Sequence, residues 1–257
     1  MIQYNIMKLR GFSMLVVIAL ALTSCMPKYI SSKDREESSL RCKAGEFYFA
    51  KGEYAKALSE FVRAVEVNPE NDGCRQILGL TYLAKKLYPE AIREFSVIIK
   101  KNPESATTHV NIGAVYMELK EWDTAIYHYD IAAKNVFYTS PELAYSNMGW
   151  AYYNKGAYDK ALINLGKAIE IRKDYALPYY NTAMVYEKLG KDDEAVKSYE
   201  KAVKFDERFV DAHYRMGQVY LRLKKKAEAA AAFKKVVELE PDGDRARAAK
   251  DYLGMIK

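Results

Sequence analysis

The sequence predicts an all-α solenoid of six helix-turn-helix repeats over residues 38–243, closed by a C-terminal capping helix over 244–257. Three observations carry that expectation. A small residue recurs at Gly45, Gly79, Gly113, Gly149, Ala183 and Gly217, in steps of 34, 34, 36, 34 and 34 residues. In phase with it, tyrosine returns at Tyr48, Tyr82, Tyr116, Tyr152, Tyr186 and Tyr220, and alanine at Ala57, Ala91, Ala125, Ala161, Ala195 and Ala229. Turn chemistry falls between them. Gly52, Gly156 and Gly190 stand where a first helix would end on a left-handed residue, and Pro69, Pro103 and Pro241 where a second helix must stop.

Such spacing places a small side chain where two antiparallel helices approach too closely for a larger one, with a ring such as Phe61 filling the space beside it. A single helix pair cannot bury its apolar face, so each repeat leans on the next. In period and in letters the pattern resembles the tetratricopeptide repeat, in six consecutive copies. That resemblance implies a right-handed superhelix whose first helices line a concave groove.

The copies run 38–71, 72–105, 106–139, 142–175, 176–209 and 210–243. Copies three to five carry Phe137, Lys173 and Glu207 where the others carry proline, so their exits need other turn chemistry. The one long step comes from the extra pair Ser140-Pro141, with Pro141 suited to a first helical turn and Ser140 to its N-cap. This insert is expected to divide the array three plus three. Asp244 to Ile256, with Ala246, Ala249, Leu253 and Ile256 apolar, reads as the capping helix.

The beginning of the chain is of another kind. Lys8 and Arg10 precede a short apolar run from Met14 to Leu22, which describes a secretory signal over 1–24 rather than a membrane span of about 20 apolar residues. Leu22-Thr23-Ser24-Cys25 resembles the bacterial lipobox, which implies lipidation at Cys25, and Met7 is as suitable a start as Met1. Met26 follows in place of the aspartate that retains many lipoproteins at an inner membrane, so an outer-membrane lipoprotein facing the periplasm is expected. Residues 25–37 read as the lipidated cysteine and a polar linker, Pro27 to Glu37, without helical periodicity. Extended, those residues would reach roughly 40 Å.

Charge excludes more than it nominates. There are 40 Lys and Arg against 34 Asp and Glu, and the basic residues alternate with acids along helix faces instead of forming the stripe of a nucleic-acid binder. Even Lys224-Lys225-Lys226 with Lys234-Lys235 reads as a solvated turn. No phosphate loop, nucleophile elbow or Cys-x-x-Cys pair occurs. The histidines His109, His128 and His213 read as packing residues, and Cys42 and Cys74 as free buried thiols, with a bridge between them in an oxidising periplasm as the alternative. The chain is expected to be no enzyme and to use no cofactor, metal, small-molecule substrate or nucleic acid.

Positions two, five, nine and twelve of each copy would face the groove. In copies one to three these are Cys42, Glu46, Phe49, Gln76, Leu80, Leu83, Val110, Ala114 and Met117. Copies four to six offer Leu143, Ser146, Trp150, Tyr153, Leu177, Tyr180, Met184, Glu187, Tyr214, Gln218 and Leu221, which read as an apolar, adaptable trough for a protein partner. Asn111, Asn147 and Asn181 recur at position six, where an amide is able to hold a peptide backbone. A clamp for a C-terminal carboxylate would need several basic residues at positions two, five and six, and only Lys43 and Arg215 stand there, so that ligand is not expected.

Lipobox, linker and six repeats together resemble the pilotins of type IV pilus secretins over nearly the whole mature chain. The resemblance implies an outer-membrane lipoprotein that binds secretin subunits and helps them assemble. Two alternatives stay open: an NlpI-like envelope adaptor that recruits cell-wall hydrolases or proteases, and a scaffold of an export apparatus.

Overall fold

The computed structural model describes residues 29–256; the lipobox with Cys25 and the signal segment lie outside the described residues. Within them stand thirteen α-helices. They are α1 (Ser32–Ala50), α2 (Tyr54–Val67), α3 (Asp72–Ala84), α4 (Tyr88–Lys101), α5 (Ala106–Glu118), α6 (Trp122–Lys134), α7 (Pro141–Asn154), α8 (Tyr158–Ile171), α9 (Ala176–Lys188), α10 (Asp192–Phe205), α11 (Val210–Arg222), α12 (Lys226–Leu239) and α13 (Asp244–Ile256). None of the described helices is long and apolar enough to cross a membrane. The fold class is the all-α repeat solenoid expected.

Two compact units divide the chain, Met1–Cys74 and Arg75–Lys257. In the first, α1 and α2 form an antiparallel pair in which Phe61 is fully buried against Gly45. Cys42 and Cys74 are joined in a disulfide with Cα atoms 5.7 Å apart, which corrects the expectation of free thiols. The reason is geometric: that separation lies in the range a disulfide spans without backbone movement. The polar linker is corrected too. Helix α1 begins at Ser32, because Ser31 and Asp34 form a reciprocal capping box in which the Asp34 amide donates to Ser31 Oγ and the Ser31 amide to Asp34 Oδ2.

The second unit repeats one packing element. With the first helix of each repeat called A and the second B, the central ring or branched side chain of each B helix, Phe95, Tyr129, Leu165, Tyr199 and Phe233, is essentially inaccessible to solvent. Facing it on the A helix is the small residue of the period. A Cβ added at Gly113 would meet the Tyr129 ring at 2.6 Å, and one at Gly149 would meet Leu165 at the same distance, so each glycine is held by contact with its partner helix. The alanines of the period, among them Ala91, Ala125, Ala161, Ala195 and Ala229, are completely buried on the same seam.

Exits from the B helices use chemistry that proline does not supply. Asn102, Asn135 and Asp206 each accept, through a side-chain oxygen, the backbone amide two residues on. The Ser140-Pro141 insert places Pro141 in the first turn of α7, while Ser140 makes no side-chain cap bond. It does not divide the array as expected, for the unit Arg75–Lys257 runs through it. Ala106, Ala132 and Ala144 pack together there with Val110 and Tyr138, small enough to keep three helices in contact across the longer turn. Helix α13 closes the series, with Ala246 and Ala249 buried and the Tyr252 ring stacked on Phe233 at 4.8 Å.

Candidate functional site

The A helices α5, α7, α9 and α11 with the capping helix α13 supply the candidate groove. Their packing follows from the period, since only A-helix residues off the glycine seam are left toward solvent. Trp150 and Tyr153, on α7, stack face to face with centroids 4.8 Å apart. Trp150 also lines a shallow depression of about 320 Å³ with Ala114, Met117, Trp122, Asn147 and Asn154. Tyr180 packs its ring on Phe209 at 4.8 Å, and it borders a different depression with Tyr214. Trp150, Tyr180 and Tyr214, three large aromatics of the expected trough, are therefore shared between two depressions.

Not every predicted residue reaches the solvent. Leu177, Asn111 and Asn147 are half-buried, Asn147 in the first depression. Asn181 and Met184, at 5% and 7% exposure, lie in the core instead, as does Ser146. A helix that packs on neighbours at both sides leaves only a narrow free stripe, and position nine falls at its edge. Cys42, at position five of copy one, is taken by the disulfide.

The trough of copies five and six is also more polar than expected. Glu187 lies at its centre, accepting from the Tyr199 hydroxyl and, at 2.8 Å, from Arg222. Arg222 in turn makes two bonds to Asp192, at 3.0 and 2.8 Å, and this guanidinium holds the Asp192 carboxyl below its ordinary value. Burial, with Glu187 adding to it, pushes the Tyr199 phenol well up, so it stays a donor. Arg215 donates its Nε–H to the Tyr180 hydroxyl at 3.2 Å. These groups bind and orient; among the described residues no cluster of three or more His, Cys, Asp or Glu could hold a metal ion.

Sequence reasoning missed a histidine pair. His109 and His128, on the A and B helices of one repeat, meet Nδ1 to Nδ1 at 2.8 Å, and His109 Nε2 donates to the Pro103 carbonyl. A separation of nineteen residues gives the helical turn-around that brings them together, a signal that was legible but shared by many pairs.

Comparison with known proteins places this geometry. Residues 42–106, 104–174 and 210–242 match tetratricopeptide-repeat families, and 185–224 matches a family described as TPR repeat. No curated protein sequence matches the chain significantly. Among solved structures, PilW, titled a widely conserved type IV pilus biogenesis factor, is similar with TM-score 0.73 at 17% identity, over 83% of this chain and 98% of that one. PilF of Pseudomonas aeruginosa gives TM-score 0.69 at 14% identity, over 86% and 99%. MamA gives 0.55 at 28% identity, over 67% and 97%. Repeat period, glycine-on-ring seam and family matches agree: the chain is a tetratricopeptide-repeat protein, built to bind protein partners.

Proposed function

We propose that the protein is a lipid-anchored adaptor of the cell envelope that holds a protein partner in its groove and assists outer-membrane assembly of a type IV pilus secretin. The observation that carries this reading is the near full-length likeness to PilW and PilF, each covered almost end to end. At their identities the likeness concerns the fold, and two further features support the rest. Leu22-Thr23-Ser24-Cys25 supplies a lipid-attachment signal, and each buried acyl CH₂ adds about 0.8 kcal/mol of membrane affinity. The Cys42–Cys74 disulfide suits an oxidising compartment such as the periplasm.

The test is made in cells. Cys25→Ser is expected to release the protein from membranes, and with it to lower the yield of secretin multimers and of surface pili. A processed Cys25→Ser protein that still fractionates with membranes would overturn the anchor. Full multimers and pili in cells lacking the protein, with hydrolases or proteases crosslinked to the groove, would favour the NlpI-like reading instead.

A further inference from the structure

The last turns of α5 and α7 flank the depression of about 320 Å³ that Trp150 borders: Glu118 ends α5, Asn154 ends α7, and both line it. A helix C-terminus carries partial negative charge on carbonyls that have no partner further along the helix. The Glu118 carboxylate adds a full charge, and among the described residues it has neither an ion pair nor a hydrogen bond. No lysine or arginine among the described residues lines the same depression. Lys86 shares a neighbouring depression of about 310 Å³ with Glu118 but does not pair with it. Lys155, the C-cap of α7, is paired with Asp123 instead. The rest of the lining is uncharged and includes the indoles of Trp122 and Trp150 and the amides of Asn147 and Asn154. Asn154 Nδ2 donates to the Trp150 carbonyl at 2.8 Å, so Asn154 Oδ1 is left to accept.

An uncompensated carboxylate, two helix C-termini and aromatic faces together favour a cation. Lysine carries a compact, strongly hydrated ammonium, which loses more on leaving water. A guanidinium is more weakly hydrated, stacks on aromatic faces and meets a carboxylate with parallel N–H donors. We propose that this depression is an arginine subsite of the groove, in which an arginine of the bound protein partner donates to Glu118 and to Asn154 Oδ1 and lays its guanidinium against an indole; the proposal rests on the reading of this face as the partner-binding groove. Glu118 was not among the expected groove residues because it stands at position thirteen of its copy, one past the last position that faces the groove.

The chain's two tryptophans both line this depression, so intrinsic fluorescence reports on it directly. The probes are three blocked tripeptides, acetyl-Gly-X-Gly-amide with arginine, lysine or citrulline in the middle, titrated into the full-length protein at matched ionic strength. Citrulline keeps the shape of arginine and lacks its charge. The arginine peptide is expected to saturate the signal and to bind about tenfold or more tighter than the citrulline peptide, since hydrogen bonds to charged groups are the strong ones. The lysine peptide should fall between them. In Glu118→Gln the affinity for the arginine peptide should drop by a similar factor, and Glu118→Asp, which keeps the charge, should recover part of it. Melting temperatures within a few degrees of wild type show that these variants are folded. Equal affinity for the arginine and citrulline peptides, or unchanged affinity in Glu118→Gln, would overturn the subsite. Tighter binding of the lysine peptide would overturn its assignment to arginine. Partner capture from a membrane extract that is lost in Trp150→Ala and retained in Glu118→Gln would also overturn the subsite, and would leave the groove reading standing without it.

Discussion

Lys86, Lys120 and Lys224 adopt φ values of 60°, 60° and 59°, at the same turn that Gly52, Gly156 and Gly190 occupy in other copies. A side chain there costs roughly 1–2 kcal/mol, offset in part by the freedom glycine has in the unfolded chain. Gly156→Lys is accordingly expected to destabilise by about 1 kcal/mol in denaturant unfolding, while Lys120→Gly is neutral or gains up to about 1 kcal/mol. Equal and opposite signs to these would show that the turn is not the seat of the strain. The histidine pair gives a second residue-scale expectation. Burial, and then the neighbouring His109, lower the His128 pKa from 6.5 to about 4. The folded state thus prefers neutral His128, so this stability is complete above pH 6.5 and declines as pH falls toward 4. Melting temperatures between pH 7 and 4 should fall less for His128→Phe than for wild type; parallel curves would exclude His128 as the sensor.

Helix pairs carry the next level of order. Ala161 is fully buried, and its carbonyl oxygen would lie 3.3 Å from a Cβ on Gly149. Ala161→Leu should therefore push α7 and α8 apart and cost about 1–3 kcal/mol by overpacking. Since stability in a repeat array is a sum of nearest-neighbour terms, the melt should broaden or split as one repeat loosens. A sharp, unchanged calorimetric transition would contradict the close contact. The groove aromatics belong to this scale as well. Trp150 stacks on Tyr153 and Tyr180 on Phe209, so each has packing to lose besides any partner contact. Trp150→Ala and Tyr180→Ala are expected to weaken partner capture by about 2 kcal/mol, as truncated aromatic anchors do, with near-normal melting. Lowered melting with capture retained would assign both rings to the core.

For the molecule as a whole, the disulfide is the feature with the widest reach. It closes a segment with a sequence separation of 32 between Cys42 and Cys74. A loop of that length restricts the unfolded chain by about 3–4 kcal/mol. Replacing both cysteines by serine should speed hydrogen exchange over residues 29–74 and expose them to protease. Exchange in the later repeats, whose core lies within Arg75–Lys257, should change little. Uniform acceleration along the whole chain would show that the two units unfold together.

Period and letter pattern by themselves determined the fold class, the helix pairs and the capping helix, because a glycine that must touch a ring recurs wherever the same contact recurs. Even the exit from α6 was legible afterwards, Asn135 accepting from the Phe137 amide as Asn102 accepts from that of Glu104. Tertiary structure decided the rest. Whether Cys42 and Cys74 bond depends on a Cα separation that spacing alone leaves open. Whether Asn181 and Met184 face solvent depends on how far the neighbouring helices close over positions six and nine. The ion pair of Arg245 with Asp211 arises only when α11 and α13 come to lie side by side. Local periodicity reports which face of a helix is buried, but a site is made of side chains from different helices, and their distances are set by packing.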